Sequence, residues 1–230
     1  MDMNKFIQSM RVIDRIREQT DTVLLYYSGG GKDSIALLDM VAPRFNKVVC
    51  VFEYIVKGMR HIQPYLDWVQ RYKNTELMQV EHPTRLLALH QGFFCDPRPD
   101  VKEMKFGELE EYVRKTTGIK YAFSGMKGVD GFMKRMRLKM FAKNDWITDK
   151  GMVYPLAIWK NSEVLRYISQ RNLIKPFTYG KTTEKQVSQG FLMEPNCMLH
   201  LIKYYPDDYK LVLQDFPYAE TLMYEFMKTH

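Results

Sequence analysis

The chain has 230 residues, of which 46% are hydrophobic, and its formal net charge is +7. This length and composition indicate a globular protein with a substantial core, and no apolar stretch approaches the roughly 20 residues that span a bilayer. The positive charge favours anionic ligands, either nucleotides or nucleic acid. The first residues carry neither the basic start nor the apolar segment of a secretory signal, so we expect a cytoplasmic protein that does not bind membranes.

Apolar periodicity, taken in chain order, predicts helices that alternate with short strands. A helical pattern covers residues 5–18, and a second covers residues 61–73. Short apolar runs indicate strands at residues 23–27, 48–52, 77–80 and 119–123. Alternation of this kind is typical of the α/β class with a doubly wound, mostly parallel sheet.

The C-terminal part of the chain differs in character, because prolines and glycines interrupt short helical pieces. This pattern predicts a smaller helical and loop region packed on the sheet. We therefore expect an α/β domain at residues 1–172 and a C-terminal extension at residues 173–230.

The three cysteines, Cys50, Cys95 and Cys197, are odd in number and far apart in the sequence. This spacing indicates reduced thiols and not a disulfide framework. No C-x-x-C pair is present, so the sequence predicts neither a zinc site nor an iron–sulfur cluster.

Residues 28–34 have the sequence S-G-G-G-K-D-S and lie between the first strand and a helical stretch. Glycine N–H groups can converge on an anion, and the helix that follows adds its own free N–H groups and positive dipole end. The segment is not a Walker A sequence, because Asp33 separates Lys32 from Ser34. A phosphate site is the prediction, and an ordinary glycine turn is the alternative.

Polar residues occur where three of the predicted strands end. Ser28 follows the first strand, Glu53 the second and Ser124 and Gly125 the fourth. Ligands of parallel α/β sheets bind beyond the carboxyl ends of the strands. We therefore expect these residues to meet at one edge of the sheet.

The glycine-rich segment resembles the PP-loop, S-G-G-x-D-S, of the N-type ATP pyrophosphatases, which are adenine nucleotide alpha hydrolase-like proteins. Those enzymes bind the pyrophosphate end of ATP and react at the α-phosphorus. Aligned backwards from Ser34, Gly29 stands where the pattern has its first Ser, and Ser28 lies one residue further out. The resemblance implies a nucleotide-binding domain at residues 1–172 whose phosphate contacts come from Ser28, Gly29, Gly30, Gly31, Lys32, Asp33 and Ser34.

A second segment, residues 125–134 (G-M-K-G-V-D-G-F-M-K), resembles the G-I-R-x-x-E-S-x-x-R pattern of the phosphoadenylylsulfate (PAPS) reductase family. That family includes the ATP-binding subunit of sulfate adenylyltransferase. Lys127 and Lys134 stand in place of Arg, and Arg135 offers a bidentate contact beside Lys134. The resemblance implies nucleotide contacts from Gly125, Lys127, Lys134 and Arg135, whereas a merely basic amphipathic helix is the alternative.

A third segment, residues 154–168, resembles the family's P-L-x-x-W-x-x-x-x-V-x-x-Y-I stretch. We expect Trp159 to anchor the core and Ser162 to cap a helix. Further on, residues 196–200 (N-C-M-L-H) share Cys, Leu and His with the E-C-G-L-H ending of the sulfonucleotide reductases. Cys197 is accordingly either a nucleophile with a lowered pKa or a small buried hydrophobe.

The resemblance implies three hypotheses for function. In the first, an enzyme binds ATP with Mg²⁺ on Asp33, acts at the α-phosphate through Lys32, Asp33 and Lys127, and transfers the adenylyl group to an acceptor. The backbone near Phe52 and Glu53 would meet the adenine or ribose. In the second, the chain reduces adenylyl sulfate (APS) or PAPS through Cys197. In the third, it is a nucleotide-binding module of a complex that modifies or senses nucleic acid. A partner subunit and a homo-oligomer are both compatible with these hypotheses.

Overall fold

The computed structural model describes residues 2–176 and 194–229. The strands of this part are β1 Thr22–Tyr26, β2 Lys47–Tyr54, β3 Thr75–Glu81, β4 Ala122–Phe123 and β5 Met152–Val153. Its α-helices are α1 Met3–Arg17, α2 Lys32–Val41, α3 Gln63–Val69, α4 Pro83–Gln91, α5 Phe106–Thr117, α6 Phe132–Phe141, α7 Asn161–Gln170, α8 Pro195–Tyr204, α9 Pro206–Asp215 and α10 Glu220–Thr229.

The five strands form one sheet in the order β3-β2-β1-β4-β5, and each neighbouring pair is parallel. The central strand β1 is buried because helices cover both faces of the sheet. Val23 and Leu25 point into a larger core that includes side chains from α1, α2 and α7, whereas Leu24 points into a smaller core with α5 and α6. The predicted α/β class and parallel sheet are confirmed.

The sequence patterns were least informative for β4 and β5, the two strands at one end of the sheet. The strand predicted at residues 119–123 is only Ala122–Phe123, because Gly118 ends α5 in the left-handed conformation and the chain must first turn. The strand β5 was not predicted, since its two paired residues are too few to produce a periodic pattern. The helix predicted at residues 61–73 is limited to α3.

The segment before α7 is held by a buried hydrogen-bond chain. Trp159 Nε1 donates to Ser9 Oγ at 2.9 Å, and Ser9 Oγ donates to the Pro155 carbonyl at 2.7 Å. Trp159 is buried, as expected of a core anchor.

The prediction that Ser162 caps the helix is wrong. The N-cap is Lys160, whose N–H donates to Glu163 Oε2 at 2.6 Å, so the carboxylate takes the capping role.

Asp39 ties α7 to α2. Its carboxylate accepts hydrogen bonds from the hydroxyls of Tyr72 and Tyr167 at 2.6 and 2.7 Å, and from Arg171 Nε at 2.9 Å. Burial alone would raise the pKa of Asp39, but these hydrogen bonds lower it overall. The network therefore fixes the end of the helix that follows Trp159.

The helices α8, α9 and α10 contribute side chains to the larger core, including Cys197, Val212 and Met223. A buried pair also connects α9 to the chain after β2, because Asp208 Oδ2 lies 2.6 Å from His61 Nδ1. In the described ranges, no helix combines the length and apolarity that crossing a membrane requires. The boundary at residues 172 and 173 stays a prediction.

Candidate active site

The glycine-rich segment forms the turn between β1 and α2 and is closed by two serines. Gly29 has a φ of +66°, a left-handed conformation that favours glycine. Ser34 Oγ donates to the Gly31 carbonyl at 3.0 Å and accepts from Ser28 N at 3.2 Å. Because that hydroxyl proton is used, Ser28 Oγ is the donor in its 3.1 Å contact with Ser34 Oγ.

A cavity of about 240 Å³ opens beside this turn, at the carboxyl ends of β1, β2 and β4. Seven residues of its wall were predicted from the sequence: Ser28, Asp33, Ser34, Glu53, Ser124, Gly125 and Lys134. The other five are Tyr26, Tyr27, Val51, Met126 and Asp130. The structure thus brings the ends of three predicted strands together at one edge, as expected.

Lys127 is the electrostatic centre of the site. Its side chain is 0% exposed, and its Nζ lies 2.6 Å from Asp33 Oδ2 and 3.0 Å from Asp130 Oδ1. Lys32 Nζ lies 3.2 Å from the same Asp33 oxygen. Two ammonium groups therefore hold one PP-loop carboxylate at the N-terminus of α2, while Asp33 Oδ1 is buried without a hydrogen-bond partner in the described part of the chain.

Gly125 allows the loop after β4 to touch the PP-loop. A Cβ at this position would lie 2.8 Å from Asp33 Cβ and 3.2 Å from Asp33 C. Since such distances are shorter than carbon atoms tolerate, only glycine fits here without displacing a backbone. The close contact brings the segment that carries Lys127 up to the PP-loop.

A protonatable carboxyl lies in another part of the cavity wall. Burial, reinforced by the charge of Glu110, raises the pKa of Glu53 to about 7. His82 Nε2 is 3.8 Å from Glu53 Oε2, too far for a hydrogen bond, and burial lowers the pKa of this imidazole. The Tyr26 hydroxyl in the same wall is buried without a partner among the described residues, and burial raises its pKa.

Several predicted site residues do not line the cavity. Phe52 belongs to β2, where side chains alternate between the two faces of the sheet, and it points away from the cavity into the larger core. Its neighbour Glu53 does line the cavity, but Glu53 is part of β2 and does not follow that strand as predicted. Arg135 is exposed on α6, where its Nε donates to the Gly128 carbonyl at 3.3 Å. Cys197 is 1% exposed in the larger core. Five other predicted residues are absent from the wall: Gly29, Gly30, Gly31, Lys32 and Lys127. The two lysines contact Asp33, which does line the cavity.

Two of the residues that were missed had a signal in the sequence. Val51 lies two positions before Glu53 on β2, and side chains two apart share a face of a strand. Asp130 occupies the acidic position of the second family-like segment. Tyr26, Tyr27 and Met126 had no distinguishing pattern, because their apolar surroundings resemble an ordinary buried strand end.

The sequence matches a protein-family model over more than half of its length. The model of the phosphoadenosine phosphosulfate reductase domain matches residues 22–181. The chain belongs to this family. Its PP-loop, its Gly125 segment and its Trp159 segment all lie in the matched range, so the resemblance inferred from those three segments is confirmed.

No curated protein matches the sequence. The chain is similar to a number of solved structures, among them the following three, each at low identity. The U34-tRNA thiolase NcsA from Methanococcus maripaludis is 13% identical, with a TM-score of 0.46 over 94% of this chain and 79% of that one. A PAPS reductase from Candida auris, in complex with phosphate, is 15% identical, with a TM-score of 0.42 over 72% and 80%. An NH3-dependent NAD synthetase from Campylobacter jejuni, in complex with nitrate, is 16% identical, with a TM-score of 0.48 over 98% and 94%.

The prediction that the protein uses no iron–sulfur cluster is wrong, because the sequence pattern does not rule out such a cluster. The NcsA structure, to which the chain is similar, contains a 4Fe–4S cluster. The exclusion rested on the lack of a C-x-x-C pair, but ligands from distant parts of a chain can meet in the fold. Among the residues that the structure describes, no group of three or more His, Cys, Asp or Glu side chains is placed to hold a metal ion.

Proposed function

We propose that this member of the PAPS reductase family binds ATP in the 240 Å³ cavity and transfers its adenylyl group to an acceptor, with release of pyrophosphate. The observation that carries the proposal is the position of Lys127. A fully buried ammonium group lies 2.6 Å from the PP-loop carboxylate of Asp33. Buried charges of this kind are costly and are typical of sites that handle other charges.

The proposed orientation of the nucleotide follows from the charges. The N–H groups of the PP-loop and the N-terminus of α2 would bind the β- and γ-phosphates. The α-phosphate would then lie toward Lys127 and Lys134, between the PP-loop and the loop after β4. An acceptor atom attacks the α-phosphorus, the bond from that phosphorus to the bridging oxygen breaks, and its electron pair leaves with pyrophosphate. Lys32 and Lys127 offset the charge that develops on the phosphates.

A magnesium ion fits the same position. Mg²⁺ is usually held by one or two carboxylates together with substrate phosphates. Asp33 presents a buried Oδ1 atom without a partner in the described part, and Asp130 lines the same cavity. We propose that these two carboxylates bind Mg²⁺, which would neutralise phosphate charge, while Lys127 keeps both carboxylates oriented.

Glu53 is the residue that we propose as proton acceptor. It lines the cavity, and its pKa of about 7 suits a group that exchanges protons near neutral pH. The ionised form of Glu53 would take the proton that the acceptor loses on adenylylation. The pH profile of the rate should therefore rise around pH 7 in the wild type and lose this limb in Glu53→Gln.

Titration with ATP and with PAPS, followed by a pyrophosphate release assay, tests the proposal. We expect saturable ATP binding that weakens at least about tenfold in Lys127→Met, because the positive centre of the phosphate site is lost. Lys73→Met serves as the matched control, since Lys73 is exposed and lies outside the cavity. Failure of both nucleotides to bind at millimolar concentration would contradict the proposal.

Sulfite release by a reductase mechanism would require Cys197 to reach the substrate. Cys197 is 1% exposed and is not part of the cavity wall. We therefore favour adenylyl transfer, in which Cys197→Ser retains pyrophosphate release from ATP. Sulfite release from PAPS that disappears in Cys197→Ser would instead support the reductase.

A further inference from the structure

Helix α6 contacts the rest of the protein through very little of its own surface. Of its ten residues, only Leu138 is buried. Surface helices normally turn their apolar stripe toward the core. Here four large apolar side chains face outward instead: Phe132 at 68% exposure, Met133 at 76%, Met136 at 45% and Met140 at 76%. An exposed apolar cluster of this kind marks a surface that binds something.

The charges on this helix all have one sign. Residues 131–144 contain no Asp or Glu, and their basic residues are Lys134, Arg135, Arg137, Lys139 and Lys143. The five side chains are exposed. We call the exposed apolar and basic side chains of residues 132–143 the α6 face. Its partner must be anionic and must also offer apolar surface.

The α6 face continues into the nucleotide cavity. Lys134 belongs to the face and also lines the cavity. Asp130, which lies two residues before the helix begins, lines the cavity as well. A ligand that lies along the helix can therefore extend one end into the site. A strand of nucleic acid has the chemistry for this surface, because its phosphates match the exposed basic side chains of the face. If the proposed function holds, the end of the strand would reach the mouth of the cavity beside ATP.

We infer that the α6 face is a docking surface for single-stranded nucleic acid. Its lysines and arginines would contact successive phosphates, and Phe132 with the methionines would contact unpaired bases, which present apolar faces. The sequence pI of about 9.1 fits a nucleic-acid-binding protein. Binding of a strand to this face does not depend on the proposed function. The further idea that the strand supplies the acceptor atom for adenylyl transfer does rest on the proposed function.

Fluorescence anisotropy with labelled 20-nucleotide single-stranded RNA, single-stranded DNA and duplex DNA tests this inference. The charge variant is Arg137→Gln with Lys139→Gln, and its matched control is Lys73→Gln with Lys102→Gln, which makes the same change in net charge at exposed positions elsewhere. The apolar variant is Met133→Ala with Met140→Ala. Thermal melting of each variant confirms that the fold is retained.

Wild-type protein should bind a single strand more tightly than the duplex, and the comparison of RNA with DNA identifies the natural strand. The charge variant should bind at least about fivefold more weakly, and its salt dependence should fall by about 1.4 in the slope of log K against log salt, since each phosphate contact contributes about 0.7. The apolar variant should lose a similar factor with an unchanged slope. The lysine control should match the wild type.

Three results would overturn the inference. These are no binding of either single strand at low salt, equal binding of single strands and duplex, and equal losses in the charge variant and the lysine control. A protein of twice the monomer mass in solution, with no binding of nucleic acid, would assign the α6 face to a second copy of the chain. Pyrophosphate release is measured without nucleic acid, so failure of the proposed function is recognised separately.

Discussion

The substitution Gly125→Ala tests whether the loop after β4 must touch the PP-loop for the site to form. The added Cβ would lie 2.8 Å from Asp33 Cβ and 3.2 Å from Asp33 C. Carbon atoms in contact are normally about 3.5–4.0 Å apart, so the two backbones would separate by roughly 0.7 Å or more. Overpacking of this size costs about 1–3 kcal/mol. For a chain of this length, Tm should fall by roughly 2–12 °C.

The effect on activity should be larger than the effect on stability. A displacement near 1 Å at reacting groups can lower a rate by about 100-fold. We therefore expect pyrophosphate release by Gly125→Ala to fall by about that factor while the protein stays folded. Gly107→Ala is the control, because a Cβ there would meet nothing within 4 Å. Wild-type activity in Gly125→Ala, or an equal loss in Gly107→Ala, would show that the close contact between Gly125 and the PP-loop is not needed for activity.

Three further substitutions test the charges of the site and of its support. Lys127→Met should lower the free energy of unfolding by about 3 kcal/mol in urea titrations, because it leaves two carboxylates without their buried partner. The pKa of Glu53 rises from 4.5 to about 7 on folding, so the free energy of unfolding of the wild type decreases as pH rises through that range. Glu53→Gln should therefore be more stable than the wild type by roughly 3 kcal/mol above pH 7 and equal to it near pH 4.5. Asp39→Asn should cost about 2–3 kcal/mol at pH 7, and this difference should shrink as pH falls below 3.8, since the pKa of Asp39 is lowered in the folded state. Unchanged stability of any variant would contradict the corresponding electrostatic argument.

Local patterns predicted the half of the site that is local in sequence. The strand, the glycine turn and the helix N-terminus occupy consecutive residues, so the PP-loop at residues 28–34 and its contact with the end of β1 followed from chain order. The parallel sheet followed in the same way, because continuous apolar strands between helices have few other arrangements. Glu53 was correctly expected at the same edge of the sheet, although its place within β2 was not.

The remaining features depend on contacts between distant parts of the chain. The positive charge of Lys127 was evident, but its burial against Asp33 joins residues that are 94 positions apart in the sequence. The raised pKa of Glu53 depends on its burial in the folded chain and, to a smaller extent, on the charge of Glu110, which lies on another element. A periodic pattern also could not distinguish the outward methionines of α6 from a core stripe, because the same spacing serves both.

The products formed from ATP distinguish adenylyl transfer from cleavage at the γ-phosphate. Wild-type protein is incubated with Mg²⁺ and ATP labelled either at the α- or at the γ-phosphate, with water as the acceptor, and the products are separated by anion exchange. We expect the α-label to appear in AMP and the γ-label in an equal amount of pyrophosphate, and both products to decrease together in Lys127→Met. Formation of ADP and labelled orthophosphate, or products that are unchanged in Lys127→Met, would contradict it.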